Sequence, residues 1–223
     1  MSIGGLCKRV NSFGFTMLEL GYALDAQPHA VSHVKGHVRS LSWVRDGSVA
    51  LVLPGLPRID DYVRLVRDRE YSFLMHDGAA IQILYQYERS VLVRHRLLYW
   101  PCPFDAEDAF RQFGYPVVDL LEALFLGNIR TEVVLRGLLR FDYVPDAARE
   151  FHPASHLTLA RSECRIPVHA PLSFDTFMRF VLENFYLEAW SDQKIAAHFA
   201  CQQEVNSIHT RDLERVHLAW RYS

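Results

Sequence analysis

The sequence predicts an α+β fold, an antiparallel β-sheet made of a meander and a second hairpin and packed with helices. Three observations predict it. The apolar runs Tyr71–Met75 and Ala80–Glu88 flank Asp77-Gly78, a dipeptide that supplies the positive φ angles of a tight hairpin turn. A second reversal near Glu88–Ser90 leads into Val91–Trp100, so three strands run as a meander. Strand patterns return after the helical segments instead of alternating regularly with them, which argues against a parallel doubly wound sheet.

Taken in order, residues Phe13–Leu24 read as a helix, and so do Arg58–Arg69, where Ile59, Tyr62, Val63 and Val66 recur at three-to-four spacing over an Asp/Arg-rich face. In the meander, Ile81, Ile83, Tyr85 and Tyr87 share a face of one strand, and Val91, Val93, His95, Leu97 and Tyr99 share a face of the next. Arg94, Arg96 and Trp100 lie on the opposite face, where an Arg stacking on an aromatic ring is the expected role. Pro101 and Pro103 end that strand, Asp105 and Asp108 mark a helix start, and Val117–Leu126 forms a helix ending at Gly127. Asp119 and Glu122 fall on its solvated side.

From Thr131 to Val144 the pattern is that of a strand, and HLTLARSECRIPV reads as a further strand pairing back on it. Ser173 caps a helix through Tyr186 whose stripe Phe174, Phe177, Val181 and Phe185 faces the core. Asp192–Gln203 reads as another helix. The terminal run VHLAWRY alternates with period two, as a strand does. No repeat, low-complexity tract or linker interrupts residues 1–223, so one domain is expected.

With Lys+Arg 24 against Asp+Glu 26 and a net charge of -2, there is no global positive field for nucleic acid or an anionic membrane, and any phosphate binding must be local. The basic residues are almost all Arg, with Lys only at Lys8, Lys35 and Lys194. Cys7, Cys102, Cys164 and Cys201 contain no CxxC pair, so reduced thiols and a cytoplasmic location are expected. Glu19 and Asp25 interrupt the N-terminal apolar stretch, which does not read as a signal peptide, and no apolar window is long enough to span a bilayer. P-loop, GxGxxG and GxSxG motifs are absent, which removes the NTPase, dinucleotide and α/β-hydrolase readings.

The polar residues with chemical potential gather around one strand and the loop after it. On a strand from Val134 to Val144, Arg136, Arg140 and Asp142 share a face, with Leu139, Phe141 and Tyr143 on the other. His152 and His156 are four apart, but Pro153 forces His152 into extended backbone, so a helical HxxxH zinc site is not expected. The loop instead places two imidazoles at the mouth of a hairpin beside Arg140 and Asp142. Metal-free RNA cleavage needs a base for the 2'-hydroxyl, an acid for the leaving oxygen and a cation for the phosphorane. His152 and His156 supply the imidazoles in either order, Asp142 orients one, Arg140 or Arg165 holds the phosphate, and Ser155 donates a further hydrogen bond. A structural turn, in which Ser155 and the histidines satisfy buried carbonyls, uses the same residues. So does a metal-dependent nuclease with Asp142 and the two histidines as ligands, which a chelator would inactivate. His95 is expected to be a hydrogen-bonded core histidine, and His29, His33 and His37 show no ligand spacing.

The strings HDGAAIQILYQYE, RHRLLYWPCP, RFDY followed by HPASHLTL, CRIPV and FMRFVLENFY occur in this order over roughly residues 60 to 190. Together they resemble an uncharacterised bacterial domain-of-unknown-function family, number 2290, which carries no assigned activity. Arg140-x-Asp142 followed by His152-Pro153 and His156 is also similar, over about twenty residues, to TumE-like toxins of bacterial toxin–antitoxin systems. Those toxins are regarded as RNases, so the resemblance implies RNA as substrate. The expectation is an RNase-like effector of a toxin–antitoxin or antiviral-defence system, without cofactor or metal. The alternative is a noncatalytic subunit that binds a protein encoded nearby through its aromatic and Arg-rich surfaces.

Overall fold

A computed structural model describes residues 2–43, 58–104, 119, 136–159, 163–199 and 206–219. Ser2 opens the first helix, α1 (Ile3–Glu19), by accepting a hydrogen bond from the Gly5 N–H through its side chain. Ile3, Leu6, Val10, Phe13 and Met17 form its buried stripe, and Gly21, with φ 75°, turns the chain out of it. The helix thus begins ten residues before the Phe13 start that periodicity suggests, because Gly4 and Gly5 dilute the helical signal of its first turn. Leu24 belongs to the following strand.

That strand is β1 (Ala23–Ala26), followed by β2 (Ala30–Lys35) and β3 (Val38–Ser42), then α2 (Ile59–Arg67), β4 (Phe73–Met75), β5 (Ala80–Glu88) and β6 (Val91–Trp100). After it come β7 (Leu139–Tyr143), β8 (Ser155–Leu159), β9 (Arg165–Pro167), α3 (Phe174–Phe185), and the short helices α4 (Leu187–Ser191), α5 (Gln193–Ala196) and α6 (Thr210–Leu213). The nine strands form one antiparallel sheet in the order β1-β4-β5-β6-β7-β8-β9, with β3 added to β5 and β2 to β3. The α+β class and the Asp77-Gly78 hairpin are as the sequence predicts.

One face of the sheet carries the main core. Ile81, Ile83, Tyr85, Leu97, Tyr99, Phe141 and Leu157 point into it and are covered by the stripes of α1 and α3. Fully burying each large side chain contributes about 1.5–3 kcal/mol. Gly14 permits the close fit of α1, since a Cβ there would lie 2.7 Å from Cε1 of the buried Phe73. Tyr85 donates to the Leu172 carbonyl at 3.0 Å and His95 Nε2 accepts from the Leu172 N–H at 3.0 Å, fixing the segment that leads into α3. His95 is therefore the core histidine expected, and burial lowers its pKa to about 4. Ser173 caps α3 as predicted, and Phe174, Phe177 and Val181 are buried, whereas Phe185 is partly exposed and stacks on Tyr99. The other face has a second core at one end, where Tyr62, Leu65 and Val66 of α2 pack on Leu74, Leu98 and Trp100.

Several local expectations change. A bulge pairs Gln86 with Arg94 but Tyr87 with Leu92, so the alternation of β6 shifts, Leu92 packs on the core and Val91 turns outward. The described residues of HLTLARSECRIPV form two strands, β8 and β9, which pair with each other; residues 131–135 of the Thr131–Val144 strand lie outside the described residues, and β7 begins at Leu139. Of the C-terminal period-two segment, residues 220–222 lie outside the described residues; among the described ones Leu218 makes a parallel bridge to Val168, and Val216 is 88% exposed. Described residues of the Asp192–Gln203 helix are helical only over Gln193–Ala196. The helix over Val117–Leu126 and the start at Asp105 and Asp108 lie outside the described residues, apart from Asp119, which is helical and exposed. Among the described residues no helix is long and apolar enough to cross a membrane.

Candidate functional site

Phe141 in the main core forces its neighbours Arg140 and Asp142 onto the opposite face of β7. There the antiparallel register sets Asp142 between Arg96 of β6 and His156 of β8, one cross-strand row. The adjacent row places Arg140 between Leu98 and Thr158, and Thr158 opposite Arg165 of β9. Arg96 Nε donates to Asp142 Oδ1 at 3.1 Å and Arg140 Nε donates to Asp142 Oδ2 at 2.6 Å. His156 Nε2 stands 3.8 Å from the same Oδ2.

Asp142 is only 4% exposed. Burial acts to raise its pKa, but Arg140 and Arg96 outweigh it and hold the carboxyl below its ordinary value. The charges are compensated by contact, as buried charges must be. Two guanidiniums, Arg96 and Arg140, share this one carboxylate, and Arg165 adds its charge near His156.

After β7 the chain makes a 3₁₀ turn at Pro145–Ala147 and then a tight reversal in which the backbones of Arg149 and His152 exchange two 3.0 Å hydrogen bonds. Phe151 closes the reversal with φ 58°, a conformation that strains a non-glycine residue. Pro153 follows, and its carbonyl accepts a 2.9 Å hydrogen bond from His156 Nδ1. That bond assigns the proton to Nδ1 and the lone pair to Nε2, on the Asp142 side. The rings of His152 and His156 meet edge to face with centroids 5.0 Å apart.

The two imidazoles differ in access. His156 is 2% exposed, and burial lowers its pKa to about 4 despite Asp142. His152 is half-buried and its pKa is also lowered, by burial first and then by Arg165 and Arg149. Both rings are neutral near pH 7. His152 Nδ1 and Arg165 Nε are each buried without a hydrogen-bond partner, a costly state for polar atoms.

Residues 24–220 match the family described as uncharacterized conserved protein, DUF2290. The chain belongs to this family. No curated protein and no solved structure matches it.

Of the residues picked out in this DUF2290 chain, the fold gathers Arg140, Asp142, His152, His156 and Arg165, and leaves Ser155 apart. Ser155 alternates with His156 on β8, so its hydroxyl points to the other face and donates to the Ala170 carbonyl at 3.1 Å. Arg96 is the member that sequence reasoning missed. Its place on the polar face of β6 was legible, but only the β6–β7 register sets it opposite Asp142 instead of on Trp100, which packs on Tyr62. Among the described residues of the DUF2290 chain no group of three His, Cys, Asp or Glu side chains is placed to hold a metal ion. Both Asp142 oxygens already accept from guanidiniums, Oδ1 from Arg96 and Oδ2 from Arg140.

Proposed function

We propose that this protein is an RNase-like effector, of the kind that serves bacterial toxin–antitoxin or antiviral-defence systems, and that it cleaves RNA by imidazole chemistry. The supporting observation is the half-buried His152, the more accessible of the two imidazoles, held edge-on against His156 within the field of Arg165. A neutral imidazole and a guanidinium donor are the two groups that attack on a phosphodiester by its own 2'-hydroxyl requires. The order Arg140, Asp142, His152, His156, which resembles that of TumE-like toxins, agrees with this reading.

In this mechanism His152 takes the 2'-hydroxyl proton, the 2'-oxygen attacks phosphorus, and the P–O5' bond breaks. The same imidazole returns the proton to the 5'-oxygen, leaving a 2',3'-cyclic phosphate and a 5'-hydroxyl. Arg165 and Arg140 offset the charge that develops on the phosphorane. His156, too buried to reach substrate, fixes the plane of His152 and is itself held by the Pro153 carbonyl. Arg96 and Asp142 position this framework from behind.

The test is incubation of purified protein with labelled RNA and single-stranded DNA, with and without EDTA. Cleavage confined to RNA, indifferent to EDTA and lost in folded His152→Ala, supports the reading. Cleavage unchanged in His152→Ala returns the loop to a structural turn, and loss on chelation moves the chemistry to a metal.

A further inference from the structure

A second polar site lies on the main-core side of the sheet, where the Asp77-Gly78 turn meets the junction of α3 and α4. A cleft of about 210 Å³ opens there, lined by Tyr22, His76, Asp77, Phe185, Tyr186 and Glu188 among others. The turn that forms it is pinned from three sides. His76 N–H donates to the Tyr22 carbonyl at 3.1 Å, the Tyr62 hydroxyl donates to the Gly78 carbonyl, and the Tyr186 hydroxyl donates to Asp77 Oδ1 at 2.9 Å. Tyr99 extends this chain, its hydroxyl 3.4 Å from that of Tyr186.

The wiring leaves one carboxylate oxygen over. Asp77 Oδ1 accepts from the Ala79 N–H and from Tyr186, while among the described residues Oδ2 has no donor and Asp77 no ion-pair partner. His76 Nδ1 is buried and unpartnered, and its ring packs against Tyr186. No Lys or Arg lines the cleft among the described residues, while the exposed Glu188 stands at its rim. Two carboxylates on one cleft with no basic side chain among its described lining residues make it favourable ground for a cation. Phe185 and Tyr22 add aromatic surface, which attracts an organic cation by its quadrupole and packs against an alkyl stem. Burial, then Asp192 and Glu188, also raises the Tyr22 phenol, as expected where negative charge collects.

We infer that this cleft binds an alkylguanidinium or alkylammonium group, with Asp77 and Glu188 as counter-charges and His76, Phe185 and Tyr22 as walls. The source of the cation is either a free amine or the Arg or Lys side chain of a protein partner. The site is independent of the proposed RNA chemistry, whose residues lie on the other face of the sheet.

The experiment is titration of the full isotopically labelled chain by NMR with agmatine, with a blocked Gly-Arg-Gly peptide, and with butylurea as a neutral control. Saturable shifts at Tyr22, His76 and Glu188 with agmatine but not with butylurea are expected, and Glu188→Arg and Asp77→Asn each weaken binding by about tenfold or more. Glu188 is exposed, so Glu188→Arg decides the matter even if Asp77→Asn disturbs the turn. Tighter binding of the peptide than of agmatine assigns the cation to a protein side chain, and the reverse assigns it to a free amine. No saturable shift with either cation, equal binding of butylurea, or agmatine affinity unchanged in Glu188→Arg overturns the inference.

Discussion

Arg96 and Asp142 stand opposite each other on β6 and β7, with Nε and Oδ1 3.1 Å apart, and both are buried. The same carboxylate takes Arg140 from its own strand, so one Asp joins two guanidiniums on the face away from the main core.

Removing that shared acceptor leaves two positive charges facing each other in a poorly hydrated place. Asp142→Asn is expected to destabilise the fold by about 3 kcal/mol, and Arg96→Leu by less, because Arg140 still compensates the carboxylate. Urea unfolding of the single and double variants measures both, and additive effects would show that the three groups do not act as a unit.

Stability should fall with acid in a defined window. His156, His95 and His29 have folded pKa values lowered from 6.5 to about 4, chiefly by burial. Between these values the unfolded chain binds protons that the folded one does not, so the contribution is complete above about pH 6.5 and is lost progressively as pH falls toward 4. Asp142, whose folded pKa is depressed, contributes above its ordinary 3.8 and is lost only below it. Unfolding midpoints from pH 7.5 to 4 should decline, with a shallower slope in His156→Gln. A flat profile would contradict the buried neutral histidines.

For the proposed reaction, His152→Ala and Arg165→Ala should each lower the rate of RNA cleavage by about a hundredfold or more. Ser155→Ala should leave the rate unchanged while costing roughly 1 kcal/mol of stability, because its hydroxyl serves the Ala170 carbonyl. A Ser155→Ala variant that folds normally but loses cleavage would put Ser155 back in the site. The rate should rise with pH as the His152 base loses its proton, with the inflection below the ordinary 6.5 because burial lowers its pKa.

Gly14→Ala tests the seat of α1. Alanine favours the helix by about 1 kcal/mol, but its Cβ would come within 2.7 Å of the buried Phe73 ring. Overpacking of this kind costs about 1–3 kcal/mol, so the net effect should be destabilising or, at best, neutral. Thermal unfolding reads it directly, and a clearly stabilised variant would mean that Phe73 yields freely.

Local chemistry made much of this legible beforehand. The Asp77-Gly78 hairpin, the Ser173 cap, the Phe174–Phe177–Val181 stripe and the core placement of His95 all follow from turn residues, capping and periodicity, which act over a few positions. For the same reason Arg140, Asp142, His152, His156 and Arg165 could be grouped from their positions on a strand and the hairpin loop.

What depends on residues far apart in the chain was not legible. The register of β6 on β7 makes Arg96 the partner of Asp142, across 46 positions of sequence, and a one-residue slip would have turned it away. The bulge at Tyr87 reverses the outward phase of β6, and Val216 is exposed despite its alternating pattern, since among the described residues no strand pairs with it. Which pocket has its acceptors unpaired is likewise a property of the assembled sheet. Side-chain pattern chooses the face of each strand; pairing and long-range packing choose its neighbours and their burial, and the chemistry of both clefts depends on those neighbours.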